Sequence, residues 1–403
     1  MSIQNLQLRY RIINIPYIIG TSLFGAMIYI YMDNLGYNLT SINIFILLFY
    51  LVSFITEIPA GVLSDTFGRR NIDILGSSLR GLGLFVLFLS NGGITSLIFA
   101  AIFTSLGSSL GGMTAWLIDS IQAINKDYNF EKFFSNNAVI FTSISMIFTF
   151  LGARIFASIN LALPILLSAI MLFVSSFVTF FLVKNDREKR CKENNDIKPF
   201  EEYSLTLKNA IKFLKENKFI LLIFISFLGS SFLTTLPSYH WQLYFVNGDE
   251  GVFTAGYISI FISISSIIGA FVAPRLKLDK KGKILFLIFS SIFNAILLIL
   301  SVIFENIILS LSFFFLHIAI NAIDSFLIGI YLISVFQKDN RRTLGAFYST
   351  METIIVILVI LFNSIWTLFL DLGEAWIVMA IISMIFSLPL LILVYKRQKE
   401  ISA

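Results

Sequence analysis

The chain has 403 residues, of which 57% are hydrophobic and 13% are charged, and its net charge is +5. With a mean hydropathy of +0.87 and 43 phenylalanines, it falls far outside the range of soluble domains, so the composition excludes a soluble enzyme or binding module. The positive charge gives no support for nucleic-acid binding, because membrane proteins gather basic residues on their cytoplasmic side. The single cysteine, Cys191, excludes a disulfide framework and a cysteine-based metal cluster.

Twelve apolar runs, each long enough to cross a hydrocarbon core of about 30 Å as a helix, follow one another along the chain. They predict an all-α polytopic membrane protein with twelve transmembrane helices. The first run has no convincing cleavage site before Asp33, so it is predicted to be a retained helix and not a signal peptide. In chain order the runs cover residues 12–32, 41–63, 72–90, 95–117, 134–157, 161–183, 218–241, 252–274, 284–303, 307–336, 344–370 and 375–395.

The basic residues outside these runs all fall on one side of the predicted membrane. They lie in the leader, in the connections from even to odd runs and in the tail, whereas the opposite loops carry only acids such as Asp33 and Glu305. Lysine and arginine near helix ends resist translocation and stay in the cytoplasm. The sequence therefore predicts a bacterial cell membrane protein with an even number of spans and both termini in the cytoplasm.

The connection after run 2 has a distinctive spacing of small and charged residues, G-x-x-x-D-x-x-G-R-R. A generic basic turn would explain its arginines but not its glycine spacing or its acid. The pattern resembles the signature loop of the major facilitator superfamily, and the length, the six-plus-six plan and the central basic linker of the chain fit the same family. The residues that carry the resemblance are Gly61, Asp65, Gly68, Arg69 and Arg70.

The resemblance implies two pseudo-symmetric six-helix bundles and a latch that holds the cytoplasmic side closed. In that loop the first glycine lets two helices approach closely, and the acid favours the amino end of a helix. The second glycine permits the turn, and the arginines anchor to headgroups or to acids, among them Asp119 at the end of run 4. The segments EIPAG at 57–61, AWLID at 115–119 and WQ at 241–242 further resemble small bacterial drug- and macrolide-efflux members of the family.

The chain divides at its longest polar segment into two halves of six runs each. We predict an N-terminal bundle over residues 1–183, a cytoplasmic linker over 184–217 and a C-terminal bundle over 218–403. The connection at 269–281 weakly repeats the glycine and basic turn of the first half, as expected for an internal repeat. Within the linker, residues 203–217 form either an amphipathic helix on the inner membrane face or a solvated tether.

Ionisable residues inside apolar runs are costly and need a partner, a wet cavity or a function. In run 10, His317, Asn321 and Asp324 are spaced four and three residues apart, so they share one helical face over about 10 Å. Asp324 is the leading candidate for a proton or cation site with the other two as neighbours, because the resemblance puts this helix on a central cavity. The alternative is an internal polar network that only holds helices together.

The runs contain further charged residues outside run 10. Glu57 in run 2 and Glu352 in run 11 are candidates either for the latch or for the cavity lining. Arg154 in run 5 is expected to pair with Glu57 or Asp119, or alternatively to meet an anionic substrate, and Arg80 is expected to be structural.

Small residues recur every four positions in run 4, at Gly107, Gly111 and Ala115, and predict close helix packing. Proton-coupled exporters of the family carry an arginine in this helix, where the chain has Phe103. That departure leaves Asp324 and Glu57 as the leading coupling candidates.

The function expected from these features is secondary active transport by alternating access, with proton-driven efflux of a hydrophobic small molecule as the preferred form. Import of a nutrient or organic anion is the alternative within transport, and a non-transporting sensor or partner protein is the alternative outside it. An enzyme is not expected, since the sequence offers neither a nucleotide-binding loop nor a catalytic constellation. We expect a monomer that meets a small-molecule substrate, protons and lipid, with no cofactor, metal or nucleic acid.

Overall fold

The computed structural model describes residues 2–126, 128–184, 212–246, 251–335 and 341–401, and these ranges are almost entirely helical and contain no strand. A π-helical segment, Gly152–Phe156, follows α7, and a short 3-10 helix, Ala273–Leu276, follows α11. The helices are α1 (Ile3–Leu23), α2 (Ile28–Asn34), α3 (Leu39–Phe67), α4 (Arg69–Phe88), α5 (Ile94–Ser109), α6 (Met113–Gln122), α7 (Glu131–Leu151), α8 (Ala157–Ile159), α9 (Leu163–Leu182), α10 (Lys218–Phe245), α11 (Gly251–Val272), α12 (Lys280–Ile303), α13 (Ile307–Val335), α14 (Arg341–Trp366) and α15 (Leu372–Ile401).

Eleven helical stretches are long and apolar enough to cross a membrane, with α5 and α6 counted together as Ile94–Gln122. A twelfth is added if α1 and α2 form one bent span. Large apolar side chains such as Phe181 and Ile385 are exposed on the helices, as a surface in contact with lipid tails requires. These features confirm the predicted all-α, multi-pass membrane fold.

The first predicted span is not one straight helix. The chain leaves helical geometry after Leu23, makes tight turns such as Gly25 N–H to Ser22 O at 3.0 Å, and resumes as α2 with a bend of 45°. A Cβ added at Gly152 would collide with the Leu23 carbonyl oxygen. Backbone therefore touches backbone where α1 ends and where the π-helical segment begins, and the two irregularities meet there.

The fourth predicted span is also interrupted, and we call residues 110–112 the helix-4 break. Leu110 is extended and Gly112 has φ −150°, ψ −7°, so α5 ends at Ser109 and α6 begins at Met113. Adjacent glycines at 111 and 112 weaken helix propensity at this point. The predicted ladder of small residues on one continuous helix is therefore wrong: Gly107 packs against Gly76 and Arg80, but Gly111 lies in the break.

The described residues form two compact units. The first holds α1 to α9 and the beginning of α11 as far as Ser259, and the second holds α10, α11 from Ile260 onward and α12 to α15. In the first unit α4 packs between α5 and α9, and Tyr10, Trp116 and Phe133 belong to a core beside α6 and α7. In the second, α15 packs against α10 and α12.

The limits of the two predicted bundles and of the linker between them, 1–183, 184–217 and 218–403, stay a prediction. Most of the predicted linker, residues 185–211, lies outside the described residues, so the choice between an amphipathic helix and a tether also remains a prediction.

Candidate functional site

Two predicted latch residues lie in contact in the first unit. The Arg69 Nη2 atom is 2.9 Å from the Asp119 Oδ2 atom, which joins the first residue of α4 to the later part of α6. Gly68 makes the corner between α3 and α4 with φ +86°, a conformation that favours glycine over residues with a side chain. The spacing in the sequence thus placed an arginine directly after a corner that only glycine adopts easily.

Arg70 points away from this ion pair. Its Nη2 atom donates a hydrogen bond of 2.7 Å to the carbonyl of Phe180, and its guanidinium lies 4.5 Å from the centroid of the Phe180 ring. It therefore ties the corner to the end of α9. The other predicted residues of this region, Glu57, Gly61 and Asp65, lie on α3, and their side chains are outside the described part of the structure.

A cavity of about 310 Å³ lies beside the helix-4 break, within the first unit. Residues on both sides of the break line it, together with side chains from α1, α4 and α9. Gly111 opens the wall, since a Cβ there would meet no atom within 4 Å, whereas a Cβ at Gly112 would press against Arg69. The polar lining residues are Asn14, Tyr17, Asp73, Ser108, Thr114 and Ser175.

Asp73 lines this cavity and was not among the candidate residues identified from the sequence. The Thr179 hydroxyl donates to its Oδ2 atom at 3.0 Å, and the backbone N–H of Gly112 donates to the same side chain. Gly112 is the N-cap residue of α6, so Asp73 caps this helix from α4. The sequence did contain an indication, because Asp73 is a charged residue just inside run 3. It lies three positions after Arg70, so it was grouped with the charged residues of the loop and not with those inside the membrane.

Arg80 reaches the same region from two turns farther along α4. Its Nη1 atom donates to the Tyr17 hydroxyl at 2.6 Å, and Gly107 of α5 packs against its backbone. Since Tyr17 lines the cavity, Arg80 orients part of the cavity wall.

The second unit contains a buried polar cluster between α12 and α13. His317 is 0% exposed and Asp324 is 6% exposed, and they face Asn294 and Ser290 of the neighbouring helix, which are also buried. Among the described residues, neither ring nitrogen of His317, nor Oδ1 of Asp324, nor Oδ1 of Asn294 has a hydrogen-bond partner. The sequence identified the two residues of α13 but not their neighbours on α12, because helix pairing is not visible in a linear pattern.

The remaining candidates are placed as follows. Asn321 lies on α13 and is half-buried, and Glu352 lies half-buried on α14. Arg154 lies in the π-helical segment with its Nε atom 3.5 Å from the Tyr257 hydroxyl. In the described ranges, no group of three or more histidine, cysteine, aspartate or glutamate side chains could hold a metal ion.

Comparisons with known proteins agree with this architecture. The family model described as Major Facilitator Superfamily matches residues 12–359. A crystal structure of the nucleoside transporter NupG is similar over 97% of this chain and 99% of its own, with a TM-score of 0.77 and 12% identity. A mutant of NupG gives a TM-score of 0.71 with 14% identity, over 96% of this chain and 98% of its own. No curated protein matches significantly in sequence. The chain belongs to the major facilitator superfamily and is a multi-pass membrane transporter, not an enzyme.

Proposed function

We propose that the protein is a secondary active transporter that moves a small molecule together with protons, and that Asp324 carries the proton. The buried cluster in the second unit is the observation behind this proposal. An ionisable group inside a membrane helix is costly, and here one carboxylate oxygen has no hydrogen-bond partner among the described residues. Proton uptake and release would give that carboxyl a function, and His317, two turns away on the same face of α13, is the nearest titratable side chain on that helix.

We also propose that Arg69 and Asp119 act as a latch that opens and closes in each cycle. The two side chains are 17% and 44% exposed. An ion pair this accessible to water contributes only about 0–1 kcal/mol, so alternating access can break and remake it at little cost. By the distribution of basic residues, we place this end of the protein at the cytoplasmic face of a bacterial cell membrane, with both termini on that side.

Two directions of transport are open to such a protein. Efflux of a hydrophobic small molecule is our first candidate, supported by the resemblance of three short segments to drug- and macrolide-efflux members. Import is the second, and nucleosides belong in the test because the most similar structures reported above are of a nucleoside transporter. At 12–14% identity that likeness supports the shared fold alone. A sensor without transport activity is the alternative outside both.

The test is substrate-evoked proton movement in liposomes that contain a pH-sensitive dye. Hydrophobic drugs, macrolides and nucleosides are supplied in turn to wild type, to Asp324→Asn and to Asp33→Asn, a matched change at an exposed position near the end of α2. We expect proton movement in wild type and Asp33→Asn and its loss in Asp324→Asn. Retained movement in Asp324→Asn removes that residue from the coupling path. Substrate movement without proton movement overturns proton coupling, and no movement of either favours a sensor.

Transport direction is read separately. Inverted and right-side-out vesicles are supplied with the same substrate in the outside medium. An exporter accumulates it in inverted vesicles, and an importer accumulates it in right-side-out vesicles. Accumulation in inverted vesicles that is driven by an inside-acid gradient would support efflux; accumulation only in right-side-out vesicles would support import.

A further inference from the structure

The helix-4 break leaves backbone groups unpaired inside a membrane span. Helical pairing stops with Leu110 N–H to Leu106 O at 3.1 Å and resumes with Trp116 N–H to Gly112 O at 2.8 Å. At 1.5 Å per residue, the break lies about 24 Å from the start of α5 and about 15 Å from the end of α6. Irregular backbone at such depth is tolerated only where it is buried in protein or lines a water-filled cavity.

The cavity beside the break meets this requirement. Its volume of about 310 Å³ equals the share of roughly ten water molecules in the liquid. Ser108, near the carboxyl end of α5, and Thr114, near the amino end of α6, both line it. Two helix ends therefore open into the same polar space.

The cavity lining offers oxygen ligands and one negatively charged side chain. Asp73 is the one charged side chain among its described lining residues; the carboxyl end of α5 adds negative partial charge, and the amino end of α6, which Asp73 caps, adds positive partial charge. Carboxylate, carbonyl, hydroxyl and amide oxygens are the ligands that hard cations take. The three arginines of the same helix each have a partner: Arg69 pairs with Asp119, Arg70 bonds the Phe180 carbonyl, and Arg80 bonds Tyr17 at the cavity wall.

The Asp73 carboxylate is fixed in position before any ligand arrives. Thr179 holds it from α9 and Gly112 holds it from the break itself. A carboxylate accepts about four hydrogen bonds or metal contacts, so two donors leave room for a cation. Gly112 is the N-cap residue of α6 and donates its N–H to Asp73. A ligand that moves the Asp73 carboxylate would therefore also shift the amino end of α6.

We propose that the helix-4 break is a binding site for a small monovalent cation, with Asp73 as its charged ligand. Carbonyl groups at the end of α5 and the cavity hydroxyls supply neutral oxygens, and water completes the coordination in a space larger than a bare ion. Interrupted membrane helices place unwound carbonyls and helix ends around ions in this way. The site lies in the first unit and is separate from the proton role proposed for Asp324 in the second.

The test is equilibrium binding of radioactive sodium to the purified full-length protein, with choline replacing sodium in the buffer. We expect saturable binding to wild type and a loss of affinity of about tenfold or more in Asp73→Asn, since even indirect ligand supports change metal affinity that much. Gly111→Ala places a methyl group in open space at the cavity wall and should also weaken binding. Gly345→Ala, a change in equally open space on α14, and Asp324→Asn should bind sodium as wild type does.

Two results would overturn the proposal: a folded wild-type protein without saturable sodium binding, or wild-type affinity in Asp73→Asn. Loss of binding in Asp324→Asn with retention in Asp73→Asn would move the ion to the other unit and overturn it as well. If Asp73→Asn does not fold, the sodium affinities of Gly111→Ala and Gly345→Ala are compared instead, because neither added methyl collides with the protein. Equal affinities would then overturn the proposal. The measurement needs no transported substrate, so it stays interpretable if the proton assay fails.

Discussion

At the scale of single residues, glycines decide how closely the helices of the first unit approach. A Cβ at Gly76 would collide with the Leu110 carbonyl oxygen, and one at Gly107 would collide with the backbone of Arg80. Small residues allow such contacts in membranes, where close packing is a main source of helix association. The crossing of α4 and α5 therefore places Gly76 against the helix-4 break and Arg80, one turn farther along α4, against Gly107.

We expect Gly76→Ala to destabilise the protein by about 1–3 kcal/mol, the usual range for overpacking, because backbone cannot retreat as a flexible side chain can. Thermal unfolding in detergent, followed by tryptophan fluorescence, measures the effect. Gly345→Ala is the matched control, since its added methyl meets nothing within 4 Å. Equal unfolding temperatures for the two variants would show that the α4–α5 contact is looser than described.

The half-buried Asp73 and the buried Asp324 differ in their surroundings. Asp73 accepts hydrogen bonds from a hydroxyl and a backbone N–H, whereas Asp324 accepts one from the Ser290 hydroxyl and keeps its Oδ1 atom without a partner among the described residues. A carboxylate held by donors is suited to remain charged and attract a cation. One with fewer donors is better suited to change its charge, which is why we assign the proton to Asp324.

At the scale of elements, irregular helices mark the first unit. The α1–α2 pair is bent, the fourth span is broken, and α7 passes into a π-helical segment. In the second unit α10 and α15 run without interruption in spite of Pro237 and Pro389. Proline therefore does not locate the breaks; close contact between backbones and the glycine pair at 111–112 do.

Hydrogen exchange should reveal the helix-4 break. The amides of residues 113–115 have no helical partner, so we expect them to exchange faster than amides in the middle of α5 although they lie within a membrane span. Overlapping peptides across residues 100–120, followed by mass spectrometry in detergent, give the comparison. Uniformly slow exchange through the stretch would mean that the span is continuous and that the cavity lacks its broken wall.

At the scale of the whole molecule, the fold persists at low sequence identity. The chain matches NupG over nearly its full length at 12% identity, which means that span number and helix packing, and not particular side chains, carry the shared architecture. For the orientation of the chain in the membrane, we rely on the distribution of its basic residues, which predicts that both termini are cytoplasmic.

This orientation predicts how the single cysteine reacts. Cys191 belongs to the predicted cytoplasmic connection, so a membrane-impermeant maleimide should label it in inverted vesicles and not in intact cells. Asp33→Cys in a Cys191→Ser background, at an exposed position in a predicted outer loop, should show the opposite pattern. Labelling of Cys191 in intact cells would reverse the assignment of the two faces.

The sequence by itself determined the class of this protein. The length of each apolar run and the distribution of basic residues between the loops can be counted along the chain, and both act directly on insertion into a bilayer. The sequence determined that the protein is a membrane transporter of the major facilitator superfamily, and run 10 agrees with α13 to within one residue. Only the tertiary structure decided which polar residues meet. Asn294 meets His317 between two consecutive helices, and Asp73 of α4 meets Gly112 at the start of α6. The helix-4 break depends on both, since the glycine pair at 111–112 is visible in the sequence, whereas the contact of the Leu110 carbonyl with Gly76 comes from the packing of α4 on α5.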